Sequence, residues 1–326
     1  MQKEWIPRVE GIDFPAILKA RGIDDKDIPI FVDPENFANE VPPEKFKNLD
    51  RAVEVTQEVI RNKGRILVIA DVDADGVTSG AMVYSALLEY RRHDLSGLDI
   101  VVGKDKQHGI AQHFDFILAC NYDLVIACDS GSDEDYIYAL LDKNGIKVIL
   151  LDHHGTTNVS ELVITVNPEI WPVERSQLSG AGVCLKFLQM LGTKRIPYDL
   201  ATVGIIADMM DMRHEDNRAI CAKGFNEVRN NGIKAALQGY EFNATSVRFS
   251  IAPLVNAAQR MGKNELALEL FIDVTPPERC KEIVEELKVL KAMQKELISE
   301  MMQEAYIDRH AKYIVATTER NEKTAG

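Results

Sequence analysis

Three aspartates at alternate positions are the residues of this chain best suited to chemistry. Asp71, Asp73 and Asp75 directly follow the apolar run at 66–70 and precede Gly76. Carboxylates this close repel one another, and burying them unpaired costs more free energy than a strand returns. One or two divalent cations would remove that cost. The spacing therefore predicts a metal site, with capping of a following helix as the alternative role for Asp71 and Asp75.

The same arrangement recurs at two further points of the chain. The apolar run at 124–128 leads into Asp129, and the run at 148–151 leads into the sequence DHHG at 152–155. Short continuous apolar runs are typical of strands buried on both faces of a parallel sheet. The reactive crevice of such sheets lies outside the carboxyl ends of the strands, so we expect these side chains to converge. Asp152 is expected to orient His153, a candidate ligand, rather than to bind metal itself.

Alternating strands and helices must position these side chains. Apolar runs predict strands, and helical periodicity predicts helices between them; the strands are at 66–70, 100–102, 124–128 and 148–151, and the helices near 49–62, 78–90, 112–120 and 133–143. This alternation implies right-handed crossovers, and hence an α/β fold with a doubly wound, mainly parallel sheet. A helical region follows, with helices predicted at 180–191, 198–209, 217–230 and 264–271.

The pattern divides the chain into four expected parts. These are an N-terminal extension at 1–48 with a helix at 14–21, a main domain at 49–275, a long charged helix at 276–311, and the start of a second domain at 312–326. The long helix is either an interdomain connector or a solvated helix with one apolar stripe. The sequence at 313–316, YIVA, predicts a strand, so we expect the second domain to be truncated.

Composition agrees with a cytoplasmic enzyme. The N-terminus lacks a basic segment followed by an apolar one, and no window approaches the roughly 20 apolar residues of a membrane span. Five cysteines show no paired spacing and are expected to be reduced core residues. The formal net charge of −13 does not exclude a nucleic-acid partner, because binding depends on a local basic groove and metal ligands inflate the negative count.

Several motifs resemble, in order, those of the DHH phosphoesterase superfamily. DVDADG at 71–76, CDSG at 128–131 and DHHG at 152–155 are similar to its successive acidic motifs. Within the superfamily the chain most resembles the bacterial RecJ single-strand-specific exonucleases. Further segments resemble that family at 18–23, 179–183, 204–218 and 251–262. The resemblance implies that residues 49–275 form a DHH catalytic domain.

The resemblance also implies a set of metal ligands for two Mn²⁺ or Mg²⁺ ions, with Asp129 as the bridge. The expected ligands are Asp73, Asp75, Asp129, His153 and Asp208. Asp71 belongs to the RecJ form of the first motif and is expected to be catalytic, as a ligand or as a support for one. The chain departs from several superfamily members at Ile69, where they have a histidine ligand. Asp211 is the alternative to Asp208, which fits the family register.

Substrate contacts are implied for residues outside the metal set. His154 is expected to face the phosphate as a proton or hydrogen-bond donor. The planar fork of Arg260 would hold the scissile phosphate, supported by Asn256, and lysine could not reproduce that contact. A loop before Gly109 could contact backbone phosphates, with simple solvation as its alternative role; its polar residues are Lys104, Lys106 and His108.

These features together predict a metal-dependent exonuclease acting on single-stranded DNA. Two metals would activate water and clamp the phosphate, and the resemblance to RecJ implies 5′-to-3′ polarity. One alternative is a DHH phosphodiesterase for short oligonucleotides or cyclic dinucleotides. Another is a non-catalytic DHH-fold scaffold in DNA replication, which the intact acids at every motif disfavour. Protein partners do not follow from the sequence.

Overall fold

A five-stranded parallel sheet forms the centre of the molecule, in the order β2-β1-β3-β4-β5. The structure, a computed structural model, describes residues 13–91, 96–104, 108–156 and 158–304. The strands are β1 (Ile66–Ala70), β2 (Leu98–Val102), β3 (Leu124–Cys128), β4 (Lys147–Leu151) and β5 (Ile164–Val166). The predicted α/β fold with a doubly wound parallel sheet is therefore confirmed.

Fifteen α-helices surround and extend the sheet within the described residues. Before and between the strands they are α1 (Phe14–Ala20), α2 (Ile28–Val32), α3 (Pro34–Phe37), α4 (Leu49–Arg61), α5 (Ala74–Tyr90), α6 (Phe114–Cys120) and α7 (Asp135–Lys143). After the sheet they are α8 (Gly180–Leu191), α9 (Tyr198–Ala207), α10 (Glu215–Asn226), α11 (Asn231–Leu237), α12 (Ala244–Ser246), α13 (Ala252–Arg260), α14 (Asn264–Phe271) and α15 (Pro277–Glu304). A π-helical turn at Val247–Ile251 joins α12 to α13.

Burial on both faces explains why the strands read as continuous apolar runs. In β1 every residue is buried, and alternate side chains enter different cores. Val68 joins the larger core, which includes α5, α8 and α9, whereas Ile69 joins the smaller core beneath α6 and α7. Ile69 is therefore a core residue, and its side chain is 1% exposed.

The order of the strands places the acidic residues at a switch point of the sheet. β1 pairs with β2 on one side and with β3 on the other, and Ala70 is the partner of Cys128. Asp71 and Asp129 thus follow two directly paired residues. Ligand sites of open α/β sheets form where the chain connections leave adjacent strands in opposite directions. The fold by itself brings the first two acidic motifs together.

Helix α5 begins inside the first acidic motif and is buried on nearly all sides. The Asp73 side chain caps it by accepting a hydrogen bond of 2.9 Å from the amide of Gly76. A helix that is apolar around its whole circumference belongs in a core, and α5 packs between the sheet and helices α8, α9 and α14. This burial fixes the direction of its first turn, where Asp75 lies.

The structure differs from the predicted elements at two places. The helix expected at 217–230 is split, since α10 ends at Asn226 and α11 begins at Asn231 with its own cap from Asn230. Strand β5 was not predicted, because its three residues are too few to show a pattern. The expected strand at 313–316 lies outside the described residues. The division into domains remains a prediction.

Candidate metal centre

The five predicted ligands lie at the ends of four secondary structure elements. Asp73 and Asp75 lie at the start of α5, Asp129 follows β3, His153 follows β4 shortly after its last residue, and Asp208 ends α9. Because the strands are parallel, their carboxyl ends share one edge of the sheet, and the end of α9 reaches the same edge. The convergence expected from the sequence is present in the structure.

His153 lies at the middle of this group. Its Nε2 is 3.2 Å from Asp129 Oδ1, 3.7 Å from Asp208 Oδ2 and 3.8 Å from Asp75 Oδ2. The ligand atoms of Asp75, His153 and Asp208 all lie within 4.8 Å of one another. Burial, with the nearby charge of His154, lowers the pKa of His153, which favours the neutral imidazole that metals bind.

Asp129 is the most constrained of the carboxylates. It is 2% exposed, and within the described residues its Oδ1 receives no hydrogen bond. Burial and the nearby charges of Asp75 and Asp73 raise its pKa well above the usual value. A buried carboxylate oxygen without a donor is costly unless a cation binds it. A bound metal ion would provide the partner that this buried oxygen lacks, so the residues present fit a metal site.

Asp75 is held by the N-terminus of α8. Its Oδ1 accepts hydrogen bonds from Ser179 Oγ at 2.8 Å and from the Ala181 amide at 3.1 Å, and its Oδ2 accepts one from the Gly180 amide at 2.7 Å. Burial and the charges of neighbouring carboxylates still raise its pKa to about 7. The N-terminus of α8, with Ser179, therefore orients a candidate ligand, a contact that the sequence did not indicate.

A second group of acidic side chains adjoins the first, and the two are linked by the distance of 3.2 Å between Asp129 Oδ1 and His153 Nε2. The carboxylate oxygens of Asp71, Asp73 and Asp129 lie within 4.8 Å of one another. Burial also raises the pKa of Asp71. Oxygen-rich groups with few imidazoles suit Mn²⁺ or Mg²⁺ better than the sulfur-rich sites typical of structural zinc. The two groups could hold two ions on either side of Asp129.

Asp152 holds the ring of His154 next to the centre, whereas the sequence predicted that it would orient His153. The Nδ1 of His154 is 2.7 Å from Asp152 Oδ1, which also accepts the amide of His153 at 2.7 Å, while Ser132 Oγ donates to Oδ2 at 2.5 Å. Burial alone would raise the pKa of Asp152, but these hydrogen bonds lower it to about 2. The contact with Asp152 raises the pKa of His154 to about 9. A cationic, 56% exposed imidazole thus borders the carboxylates.

The remaining residues that were predicted to bind substrate make no direct contact with the carboxylates in the described structure. Arg260 is the half-buried last residue of α13, a helix that contacts α5, and Asn256 is exposed on the same helix. Within the described residues, no ion pair or hydrogen bond joins the Arg260 guanidinium to the carboxylates. Lys104 is exposed in the loop after β2, and its amide donates to Gln112 Oε1 at 2.8 Å. Lys106 lies outside the described residues.

The structure places two further residues that the sequence left open. Asp211, the alternative to Asp208, does not join the group, because its carboxylate binds the Arg213 guanidinium, at 2.8 Å from Nε to Oδ2. His108 was expected in a loop that either contacts phosphates or is simply solvated, but its Nδ1 lies 2.8 Å and 2.9 Å from the two oxygens of Asp71. The two residues are 37 positions apart, so no local pattern indicates this contact.

Comparisons with known proteins agree with the geometry of the centre. Residues 65–220 match the DHH family, N-terminal domain. This segment contains all the carboxylates and histidines of the two groups, and it ends within α10. In the part of the chain that the structure describes, none of the helices has the length and apolar character needed to cross a membrane.

Two relatives of this chain are named single-strand-specific exonucleases, and a matching solved structure is one of RecJ. A Bacillus subtilis SPbeta prophage protein, provisionally named single-strand DNA-specific exonuclease YorK, is 31% identical over 271 residues, covering 77% of this chain and 44% of the relative. Single-stranded-DNA-specific exonuclease RecJ of Thermus thermophilus is 30% identical over 291 residues, covering 83% and 42%. The crystal structure of RecJ in complex with Mn²⁺ from Thermus thermophilus matches with a TM-score of 0.75 and 28% identity, covering 89% and 43%. The chain spans less than half the length of these relatives.

Proposed function

This chain belongs to the DHH family, and on that premise we propose that it is a divalent-metal-dependent exonuclease for single-stranded DNA. The observation that carries the proposal is the buried Oδ1 of Asp129, which accepts no hydrogen bond from the described residues although Asp129 belongs to one group of potential ligands and lies 3.2 Å from His153 of the other. The relatives named as single-strand-specific exonucleases support the choice of substrate. By the same resemblance, we propose 5′-to-3′ polarity.

The chain offers ligands for two ions that share Asp129. Asp75, His153 and Asp208 would hold one ion, and Asp71 and Asp73 the other. When bound, Mn²⁺ or Mg²⁺ lowers the pKa of water and neutralises charge on phosphoryl oxygens. The fully buried hydrogen-bond partners of Asp75 keep that carboxylate fixed, so the site needs little rearrangement to bind a cation.

His154 is suited to the phosphate side of the reaction. Its Nδ1 is taken by Asp152, so its Nε2 is free to donate a proton or a hydrogen bond to a phosphate oxygen or to the leaving group. Because the pKa of His154 is about 9, the imidazole is protonated near neutral pH and can act as that donor. Asp152 holds the ring in this orientation.

Arg260 is proposed to bind the scissile phosphate rather than metal. We expect Arg260→Lys to lower kcat/KM by roughly 10-fold or more, since a lysine cannot make the two parallel hydrogen bonds of a guanidinium. The affinity for Mn²⁺, measured by calorimetric titration, should stay unchanged. A large loss of Mn²⁺ binding in Arg260→Lys would show that this residue supports the ligands instead.

An exposed apolar surface beside Asp208 offers a place for unpaired bases. Met209 and Phe249 are 69% and 71% exposed, and Arg248 Nη2 lies 3.8 Å from Met209 Sδ. Bases of single strands stack on aromatic side chains, at roughly 1–3 kcal/mol per base. This surface adjoins a proposed ligand and therefore suits a strand that enters the centre from this side.

Phe249→Ala is expected to weaken binding of a short oligodeoxythymidine by roughly 5- to 100-fold, because one stacking contact is lost. Fluorescence anisotropy in Ca²⁺ measures the affinity. Tyr90→Ala is the matched control, since Tyr90 is an exposed aromatic residue at the far end of α5. Equal affinities of the Phe249→Ala and wild-type proteins would remove this surface from the substrate path.

The proposed activity is tested with single strands labelled at either end. In Mn²⁺, the wild-type chain should release mononucleotides from the 5′ end of a single strand and leave blunt duplex intact. A 5′ label should appear at once in the mononucleotide product, and a 3′ label should remain on shortening strands. Cleavage confined to dinucleotides or cyclic dinucleotides would support the phosphodiesterase alternative, and no cleavage of any substrate would support the scaffold.

A further inference from the structure

His108 reaches the acidic centre from the loop after β2. Its Nδ1 lies 2.8 Å from Asp71 Oδ1 and 2.9 Å from Oδ2, although the imidazole itself is 60% exposed. The neighbouring Gly109 has a positive φ of 82°, and Glu134 accepts the amides of Ile110 and Ala111. These contacts fix the backbone that follows His108, so the imidazole is presented from an anchored turn.

The group formed by Asp71, Asp73 and Asp129 has a greater need for a hydrogen-bond donor than the group that contains His153. The first group contains the imidazole of His153, whereas Asp71, Asp73 and Asp129 are all carboxylates. Strand β1 supplies no further ligand here, because Ile69 points into the smaller core. Asp71 is 4% exposed and close to the charge of Asp73, so its carboxylate requires a donor that holds it in place.

We propose that His108 is a positioning residue that holds Asp71 as a ligand for the second divalent cation, the one shared with Asp73 and Asp129. An N–H that lies between both carboxylate oxygens fixes the rotation of the carboxylate and leaves its remaining lone pairs for a cation. Partners of this kind outside the ligand set are worth roughly 10- to 100-fold in metal affinity. The inference rests on the proposed function, because it assigns a residue to one of its two metals.

His108 contacts a ligand of only one of the two proposed metal sites. His153 and the α8 N-terminus serve the first group, and His108 serves only the second. A change at His108 should therefore act on one ion and spare the other. A purely structural role in anchoring the loop would instead change the stability of the metal-free protein and leave both affinities alike.

Calorimetric titration of the full chain with Mn²⁺ tests this assignment. The wild-type protein should bind two ions. His108→Ala should keep the tighter ion unchanged and weaken the second by roughly 10- to 100-fold. His108→Asn should restore most of the loss, because the amide nitrogen of asparagine lies where Nδ1 does. His214→Ala is the matched control, since this histidine is the residue before α10 and belongs to neither group of candidate ligands.

Two results would overturn the proposal: unchanged binding of both ions in His108→Ala, or binding of only one ion by the wild-type chain. Thermal unfolding in EDTA should show only a small fall in the midpoint for His108→Ala, because buried Asp71 loses one donor. A large fall together with two unchanged Mn²⁺ affinities would assign His108 to the loop alone. Failure of the proposed function is a separate outcome, in which the wild-type chain binds two ions but does not cleave single strands.

Discussion

Asp129→Asn is expected to abolish hydrolysis, with a loss in kcat on the order of 10³-fold or more. Asp129 belongs to the second group and lies 3.2 Å from His153 of the first, so one substitution should weaken both ions and the charge stabilisation they provide. Asparagine is the proper replacement, because Asp129 has a φ of 62°, a region that asparagine tolerates and alanine does not. Release of labelled mononucleotide under single-turnover conditions measures the effect.

The same substitution should leave the metal-free fold intact. Burial and neighbouring carboxylates raise the pKa of Asp129, so above its unfolded pKa the ionised group costs folding free energy, and the neutral amide removes that cost. In EDTA at pH 7.5, Asp129→Asn should unfold at the same temperature as the wild type or higher. In Mn²⁺ only the wild type should gain stability. Wild-type turnover in Asp129→Asn would refute the shared-ligand account.

Gly204→Ala is expected to lower the free energy of unfolding by about 3 kcal/mol. A methyl group at Gly204 would overlap Asp75 Oδ1 and lie 2.5 Å from the Ala181 Cβ. Neither neighbour can retreat, because Asp75 is held by three hydrogen bonds and Ala181 is fully buried in α8. Urea unfolding of the metal-free protein measures the loss.

A matched glycine provides the control for that substitution. A methyl group at Gly155 would meet no heavy atom within 4 Å, so Gly155→Ala should keep the wild-type free energy of unfolding. Gly204→Ala should also weaken Mn²⁺ binding, because Asp75 must shift to admit the methyl group. Wild-type stability in Gly204→Ala would mean that α5 and α9 can separate freely at this point.

The sheet and its acidic edge could be predicted because local patterns determine them. Strands buried on both faces require continuous apolar runs, and β3 and its predicted bounds coincide. Parallel strands then force Asp71, Asp129 and His153 to the same edge, whatever the helices do. Strand β5 escaped prediction because three residues carry no pattern, and the end of α10 escaped because no glycine or proline marks it between Asn226 and Asn231.

The supports of the centre could not be predicted, because they join distant segments. Asp75 is held by Ser179 and the amides that follow it, more than a hundred residues away. His108 reaches Asp71 across a loop, and its position depends on the anchored turn after it. Such contacts follow from how α8 and the β2 loop pack on the sheet. Residue type and spacing predict the candidate ligands, whereas the residues that orient them follow only from the packing of distant segments.

The metal centre itself can be located directly by anomalous scattering at the manganese absorption edge, from crystals of this chain grown in Mn²⁺. A two-metal centre around Asp129 predicts one peak among Asp75, Asp129, His153 and Asp208, and a second on the other side of Asp129, beside Asp71 and Asp73. Manganese peaks elsewhere on the surface, with the carboxylates around Asp129 free of metal, would contradict it.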